Sequence, residues 1–216
     1  MKIHVRRSAL GVHLFADYYP AADARLLVVY FGGAITAHAY DERRETEPTP
    51  LLEHWNAAVS EASTQADLLV IPAPPGAMPA HSYLRRAVLT HVQWELLSAA
   101  GAPLRPLVAC FGNSYGALFA TALASELSAC RRVVTMGGVG MSEMAEFAPP
   151  DFFSHCQFLC FTNDGDPLQP ETYTFQAMAF LNGGYAKVHE GHGGHDFADY
   201  AANGFVEQGF RFLIQD

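Results

Sequence analysis

The chain carries little charge and has no basic cluster. Only 16% of its 216 residues are charged, and 13 Lys and Arg against 22 Asp and Glu give a formal net charge of -9. Such a surface would repel phosphate backbones and anionic lipid headgroups. We therefore expect neither nucleic acid nor a membrane among the partners.

Cysteines and long apolar runs are also scarce. Of the four cysteines, Cys110 and Cys160 lie inside apolar runs typical of buried strands, so a disulfide framework is not indicated. No apolar run is long enough to span a bilayer. Residues 1–7 alternate polar and apolar side chains and lack the apolar core of a signal peptide. These absences predict a cytoplasmic protein.

Hydrophobic residues, in contrast, make up 50% of the chain, which is typical of a compact folded core. A length of 216 residues lies within the usual range for one domain. We therefore expect residues 1–216 to form a single domain, with a Pro-rich loop over residues 72–79 at the rim of its sheet.

Short apolar runs alternate with longer segments of helical character. This alternation predicts the α/β class, as a three-layer α/β/α sandwich with a mostly parallel, twisted sheet of about eight strands. The first two strands are joined by a short turn and should be antiparallel. The predicted strands are 2–7, 12–18, 25–31, 67–71, 106–111, 132–136, 157–161 and 185–189, and the predicted helices are 48–65, 82–99, 117–129 and 197–212.

One five-residue turn is the strongest indication of catalytic chemistry in the sequence. A buried strand runs into Gly112-Asn113-Ser114-Tyr115-Gly116, and a helix follows directly. A serine at such a corner is held in a strained backbone conformation with its hydroxyl exposed, and glycines on both sides let strand and helix approach closely. The amide of Tyr115 lies in the first helical turn, where the helix dipole favours negative charge. We predict that Ser114 is a nucleophile and that Tyr115 supplies half of an oxyanion hole.

This corner resembles the nucleophile turn of the α/β-hydrolase superfamily, and the order of elements resembles that superfamily along nearly the whole chain. The resemblance is to esterase-like and dienelactone-hydrolase-like members without a cap domain, because only about fifteen residues, 141–155, occupy the place where caps are inserted. The superfamily arranges its triad in the chain order nucleophile, acid, histidine. An acid and a histidine are therefore expected after later strands.

The segment that follows strand 157–161 resembles the acid loop of this superfamily. It contains Asp166-Pro167-Leu168, although the leading glycine of the family pattern is missing. The resemblance implies that Asp166 orients the histidine, and Asp164 is the alternative acid. A simple turn, in which Asp side chains bond nearby amides, is the other interpretation of this segment.

Three histidines compete for the role of the base. His189 lies at the end of the last predicted strand. The segment 193–197, which contains His195, resembles the Gly-His-x-Phe segment of dienelactone-hydrolase-like members, whereas His192 lies in a Gly-His-Gly segment similar to that of prolyl-oligopeptidase-like members. We predict that His195 is the base and keep His192 as the alternative.

The same region also permits a different interpretation as a metal site. Imidazole and carboxylate groups can share a divalent ion. The Gly-rich spacing matches no common metal motif, however, and a metal site would leave the Ser114 corner unexplained. We therefore expect no metal and no cofactor. The residues of this alternative cluster are His189, His192, His195, Asp196 and Asp199.

The second half of the oxyanion hole is expected after the first buried strand. Gly32 and Gly33 follow Phe31 at the position where the superfamily keeps a His-Gly-Gly loop, with Phe31 in the place of the histidine. A glycine there lets the backbone approach the substrate carbonyl. Gly33 is the predicted donor, Ala34 is the alternative, and an ordinary glycine turn is the remaining interpretation.

Apolar side chains in the short segment 141–155 have two interpretations. They could form a small wall over the site, or they could pack against the edge of the sheet. The residues concerned are Met141, Met144, Phe147, Pro149 and Pro150.

The resemblance implies a serine hydrolase that cleaves a small-molecule carboxylic ester or thioester. Ser114 would attack the carbonyl, His195 would take its proton, Asp166 would orient His195, and water would release the acyl group. An acyltransferase on the same scaffold, or a binding protein that has lost the chemistry, are the alternatives.

Overall fold

The structure is a computed structural model that describes residues 3–9, 12–33, 49–62, 65–71, 105–145 and 148–215. The strands in these ranges are β1 (Ile3–Ala9), β2 (Val12–Tyr19), β3 (Leu26–Phe31), β4 (Ala66–Ile71), β5 (Leu107–Asn113), β6 (Cys130–Met136), β7 (Gln157–Asn163) and β8 (Ala186–Gly191). The helices are α1 (Thr49–Ser60), α2 (Gly116–Glu126), α3 (Met141–Ala145), α4 (Phe152–His155), α5 (Gln169–Leu181), α6 (Phe197–Ala202) and α7 (Phe205–Ile214).

The eight described strands form one sheet in the order β1-β2-β4-β3-β5-β6-β7-β8. The strands β1 and β2 are antiparallel to each other, and β2 is antiparallel to β4. All other neighbouring pairs are parallel. The predicted α/β class, the mostly parallel sheet and the antiparallel opening pair are therefore confirmed.

The central strands are nearly continuous apolar runs because both faces of the sheet are covered. Every residue of β3 and β4 is buried. Successive residues of β3 contribute to two separate cores, with Leu27 and Val29 on one face and Leu26 and Val28 on the other. The first core also contains buried residues of α2 and α5, and the second contains those of α1, α6 and α7.

Several helices differ from the expectations. The predicted closing helix 197–212 is two helices, because Gly204 between them adopts a left-handed conformation with φ 74°. Helices α3, α4 and α5 were not predicted. The predicted helix 82–99 and the Pro-rich loop 72–79 lie outside the described residues.

The carboxyl ends of the parallel strands meet at one edge of the sheet, and the predicted nucleophile, acid, base and oxyanion donors all follow these ends. None of the described helices is long and apolar enough to cross a membrane. The cytoplasmic location and the single domain stay predictions.

Candidate active site

Ser114 occupies the corner between β5 and α2. It has φ 53°, a left-handed conformation that is costly for a residue with a side chain. Its amide donates a hydrogen bond of 2.7 Å to the carbonyl of Met136, and its carbonyl accepts one of 3.0 Å from the amide of Ala117. These bonds to β6 and to the helix hold the backbone in the strained conformation.

The glycines on either side of Ser114 are required by close contact between elements. A Cβ on Gly112 would lie less than 3.0 Å from the backbone of Ala117, and one on Gly116 would lie less than 3.0 Å from the carbonyl oxygen of Phe31. Any larger residue would separate the helix from its strands. The turn therefore requires glycine at both positions for steric reasons.

The side chains of Ser114, His195 and Asp166 form a continuous chain of hydrogen bonds. The distance from Ser114 Oγ to His195 Nε2 is 2.7 Å, and that from His195 Nδ1 to Asp166 Oδ2 is 2.9 Å. The imidazole is 31% exposed, whereas the carboxylate of Asp166 is fully buried. The three residues follow β5, β8 and β7, so the topology brings together groups that are far apart in sequence.

The buried carboxylate of Asp166 has two further hydrogen-bond donors. The amide of Leu168 donates to Oδ1 at 2.7 Å, and the hydroxyl of Tyr200 donates to Oδ2. Burial, and then the bond to Asp166, raise the pKa of the Tyr200 phenol well above its ordinary value. Such donors stabilise a carboxylate that has lost contact with water.

Gly137, directly after β6, makes room for this arrangement. It has φ 52°. A Cβ at this position would lie 2.7 Å from Asp166 Oδ2, 2.8 Å from the Tyr200 hydroxyl and 2.9 Å from His195 Cε1. Neither Gly137 nor Tyr200 was recognised in the sequence, where a glycine after a strand and an aromatic residue in a helix are typical of turns and cores.

The alternative acid and the alternative base form a pair of their own. The distance from His192 Nδ1 to Asp164 Oδ2 is 2.8 Å, and the two side chains are 93% and 50% exposed. This hydrogen bond raises the pKa of His192 and lowers that of Asp164. The pair lies at the surface, whereas His195 contacts Ser114 and Asp166 contacts His195.

The loop that carries His195 is fixed to the acid loop by polar contacts. The side-chain amide of Asn163 donates to the carbonyl of Gly194 at 2.9 Å, and the amide of Gly165 donates to the carbonyl of Gly193 at 3.0 Å. The amide of Gly194 also donates to a carboxylate oxygen of Asp199 at 2.6 Å. The position of the imidazole is thus set by its own loop as well as by Asp166.

The residues of the alternative metal cluster have separate partners. His189 lies 3.3 Å from the side-chain amide of Gln208, while His192 and His195 contact different carboxylates. Asp199 accepts the Gly194 amide. Among the described residues, no group of three potential metal ligands lies close enough together to hold an ion.

The two predicted oxyanion donors, Gly33 and Tyr115, both lie close to Ser114. A Cβ on Gly33 would lie 3.3 Å from the Cβ of Ser114, so the backbone of Gly33 passes close to the nucleophile. The amide of Gly32 donates to the carbonyl of Ile71 at 2.9 Å. Tyr115 is the N-terminal capping residue of α2 and already has helical dihedral angles. Ala34 lies outside the described residues.

The short segment 141–155 contributes to the core. Met141 is fully buried and belongs to the core that contains α2 and α5, which agrees with packing against the sheet rather than with a wall over the site. Pro149 and Pro150 are exposed. The side chain of Met144 and all of Phe147 lie outside the described part.

Solved structures with the same fold include several hydrolases. A ferulic acid esterase aligns with a TM-score of 0.66 and 12% identity over 99% of this chain and 98% of its own. The S-formylglutathione hydrolase FrmB of Staphylococcus aureus aligns with a TM-score of 0.63 and 11% identity over 100% and 96%. FphF, a fluorophosphonate-binding serine hydrolase of Staphylococcus aureus, aligns with a TM-score of 0.67 and 12% identity over 100% and 99%.

This likeness extends over the whole length of both chains and shows the fold: the chain has the α/β-hydrolase fold. Neither a protein-family model nor a curated protein sequence matches it. At this low identity the activities of the solved proteins do not carry over by themselves, because one fold supports many functions. The function must be argued from the site.

Proposed function

We propose that this chain is a serine hydrolase that cleaves a small-molecule carboxylic ester or thioester through a covalent acyl-enzyme. The observation that carries the proposal is the uninterrupted hydrogen-bond chain from Ser114 Oγ through both ring nitrogens of His195 to the buried carboxylate of Asp166. A nucleophile, a base and a group that orients the base are the parts that acyl transfer requires.

Acylation begins when Ser114 Oγ attacks the substrate carbonyl and its proton moves to His195 Nε2. Asp166 accepts the Nδ1 proton in a hydrogen bond, which selects the tautomer with a free lone pair on Nε2 and stabilises the imidazolium that forms. The imidazolium then returns its proton to the departing alcohol or thiol. The positive φ of Ser114 supports the nucleophilic attack, because it turns the side chain out of the strand-helix corner.

The negative charge of the tetrahedral intermediate requires hydrogen-bond donors close to Ser114. Gly33 and Tyr115 are the proposed donors, because the backbone of the first passes beside Ser114 and the second begins α2. The amino-terminal end of the helix carries a partial positive charge, which favours an oxyanion at this point.

Deacylation requires water at the same base. The 31% exposure of the His195 side chain is consistent with access of water to Nε2 after the alcohol has left. His195 would take a proton from this water, the hydroxide would attack the acyl-enzyme, and Ser114 would regain its proton. An acyltransferase would use an alcohol or amine in place of water at this step.

The proposal is tested by a panel of p-nitrophenyl esters and acyl thioesters of graded chain length. The wild type should hydrolyse at least one class, and Ser114→Ala should lower kcat by about 10⁴-fold or more. Ser154→Ala, which removes an exposed hydroxyl that donates to the carbonyl of Asp151, is the matched control and should keep wild-type rates. Equal activity of Ser114→Ala and wild type would contradict the proposal, and analysis of products with added alcohols would detect acyl transfer.

A further inference from the structure

Tyr200 contacts the proposed catalytic carboxylate from outside the triad. It lies on α6, its side chain is fully buried, and its hydroxyl donates to Oδ2 of Asp166. This is the same carboxylate oxygen that His195 Nδ1 contacts at 2.9 Å. Oδ2 of Asp166 is therefore the hydrogen-bond partner of both the imidazole and the phenol.

We propose that Tyr200 is a positioning residue, which acts through Asp166 to fix the orientation of His195 and to set how strongly that imidazole holds its proton. The inference rests on the proposed function, since it needs His195 to act as a base. Tyr200 itself is not expected to touch the substrate.

Steric fit supports this role for the hydroxyl. The Tyr200 oxygen is enclosed between Asp166 and the backbone of Gly137, where a Cβ would come within 2.8 Å of it. The ring is held by the core beside Phe205, with 6.3 Å between ring centroids. The phenol is therefore aimed at the carboxylate by packing on both sides.

The expected effect on the base follows from hydrogen bonding to a charged group. A donor stabilises the Asp166 anion and makes it a weaker partner for the imidazolium. Because burial and the bond to Asp166 hold the pKa of Tyr200 far above neutral, the phenol keeps its proton at all working pH values. Loss of this donor concentrates charge on Asp166 and should make His195 hold its proton to higher pH.

Other ionisable groups near the base lie on the two loops and on α6. In the described part of the chain they include the surface pair Asp164 and His192, the exposed Asp196, and Asp199, which accepts the Gly194 amide. From β7, Tyr200 is approached by the neutral groups of Thr162 and Asn163. The replacement of Tyr200 leaves all these groups in the protein, so a change in pH dependence can be assigned to the phenol.

The test compares Tyr200→Phe with Tyr18→Phe. Tyr18 is a matched control, because it is also buried and its hydroxyl donates to a buried aspartate, Asp67, at 2.9 Å, but at the opposite edge of the sheet. Both variants should lose stability toward urea. Only Tyr200→Phe should lower kcat, by roughly tenfold, with KM little changed, and shift the acidic inflection of kcat/KM upward by about half a pH unit or more.

A second measurement covers the case in which Tyr200→Phe does not fold. Site-specific replacement of Tyr200 by a fluorotyrosine keeps the ring and makes the hydroxyl a stronger donor, so the acidic inflection should move to lower pH. An inflection that coincides with the wild type in either folded variant would overturn the role of Tyr200. Equal ester hydrolysis by Ser114→Ala and the wild type would instead overturn the proposed function. The two failures are therefore distinguishable.

Discussion

Two pairs of histidine and aspartate lie on the same two loops of this protein. His195 with Asp166 is partly or fully buried beside Ser114, whereas His192 with Asp164 lies at the surface. A carboxylate in a buried position interacts with an imidazolium much more strongly than one in water, where the charges are screened. Position, rather than residue type, separates the proposed catalytic pair from the other pair.

Matched substitutions in the two pairs should therefore have very different effects. His195→Gln and Asp166→Asn should each lower kcat/KM by about 10³-fold or more, because the base or its orienting carboxylate is lost. His192→Gln and Asp164→Asn should stay within about threefold of wild type, since an exposed ion pair contributes little. Steady-state rates of the four variants, with circular dichroism to verify folding, are the measurement. The reverse ranking would transfer the catalytic roles to His192 and Asp164.

At the residue scale, the sequence predicts those site residues that lie just after the ends of strands. The order of the predicted strands indicates the loops that carry the acid and the base, and the resemblance of the Asp-Pro-Leu and Gly-His-x-Phe segments favours Asp166 and His195 within them. The structure brings the side chains of Ser114, Asp166 and His195 together. Gly137 and Tyr200 could not be selected in this way. Their roles depend on distances between elements that are remote in sequence, and neither residue type is unusual in its local context.

At the element scale, the corner between β5 and α2 depends on close approach to β3. A methyl group at Gly116 would collide with the carbonyl oxygens of Phe31 and Gly32, which are backbone atoms and cannot rotate away. The beginning of α2 would have to move, and Tyr115, one of the two proposed oxyanion donors, would move with it.

Gly116→Ala should therefore reduce both stability and activity. We expect a loss of about 1–3 kcal/mol in the free energy of unfolding and a lower kcat, measured by urea titration and ester hydrolysis. Gly183→Ala is the control, because it has φ 76° but an added Cβ meets nothing within 4 Å. It should lose stability through backbone strain alone and keep its kcat. A Gly116→Ala variant with wild-type kcat would show that the corner tolerates displacement of the helix.

Strands were easier to predict than helices in this chain, for a physical reason. The central strands are buried on both faces, so they form short, nearly continuous apolar runs. Helix α5 buries only part of its surface and exposes Tyr173, Phe180 and Leu181, so its apolar residues do not follow one clear helical stripe. The break at Gly204 is equally hard to recognise, because apolar residues continue on both sides of it.

At the scale of the whole molecule, the two edges of the sheet differ in their polar contacts. Near the amino ends of the strands, the fully buried Asp67 accepts hydrogen bonds from Tyr18, from the amide of Ala21 and from Arg105 Nε at 2.7 Å. These bonds join β2, β4 and the segment before β5. The proposed chemistry lies at the other edge, where the carboxyl ends meet.

The proposed mechanism requires that one serine of the whole chain, Ser114, is the activated nucleophile. Its most direct test is intact-protein mass spectrometry after reaction with a fluorophosphonate, followed by peptide mapping. We expect one adduct per chain, located on Ser114, slow labelling of His195→Gln and no labelling of Ser114→Ala. An adduct on another residue, or equal labelling of Ser114→Ala and wild type, would contradict it.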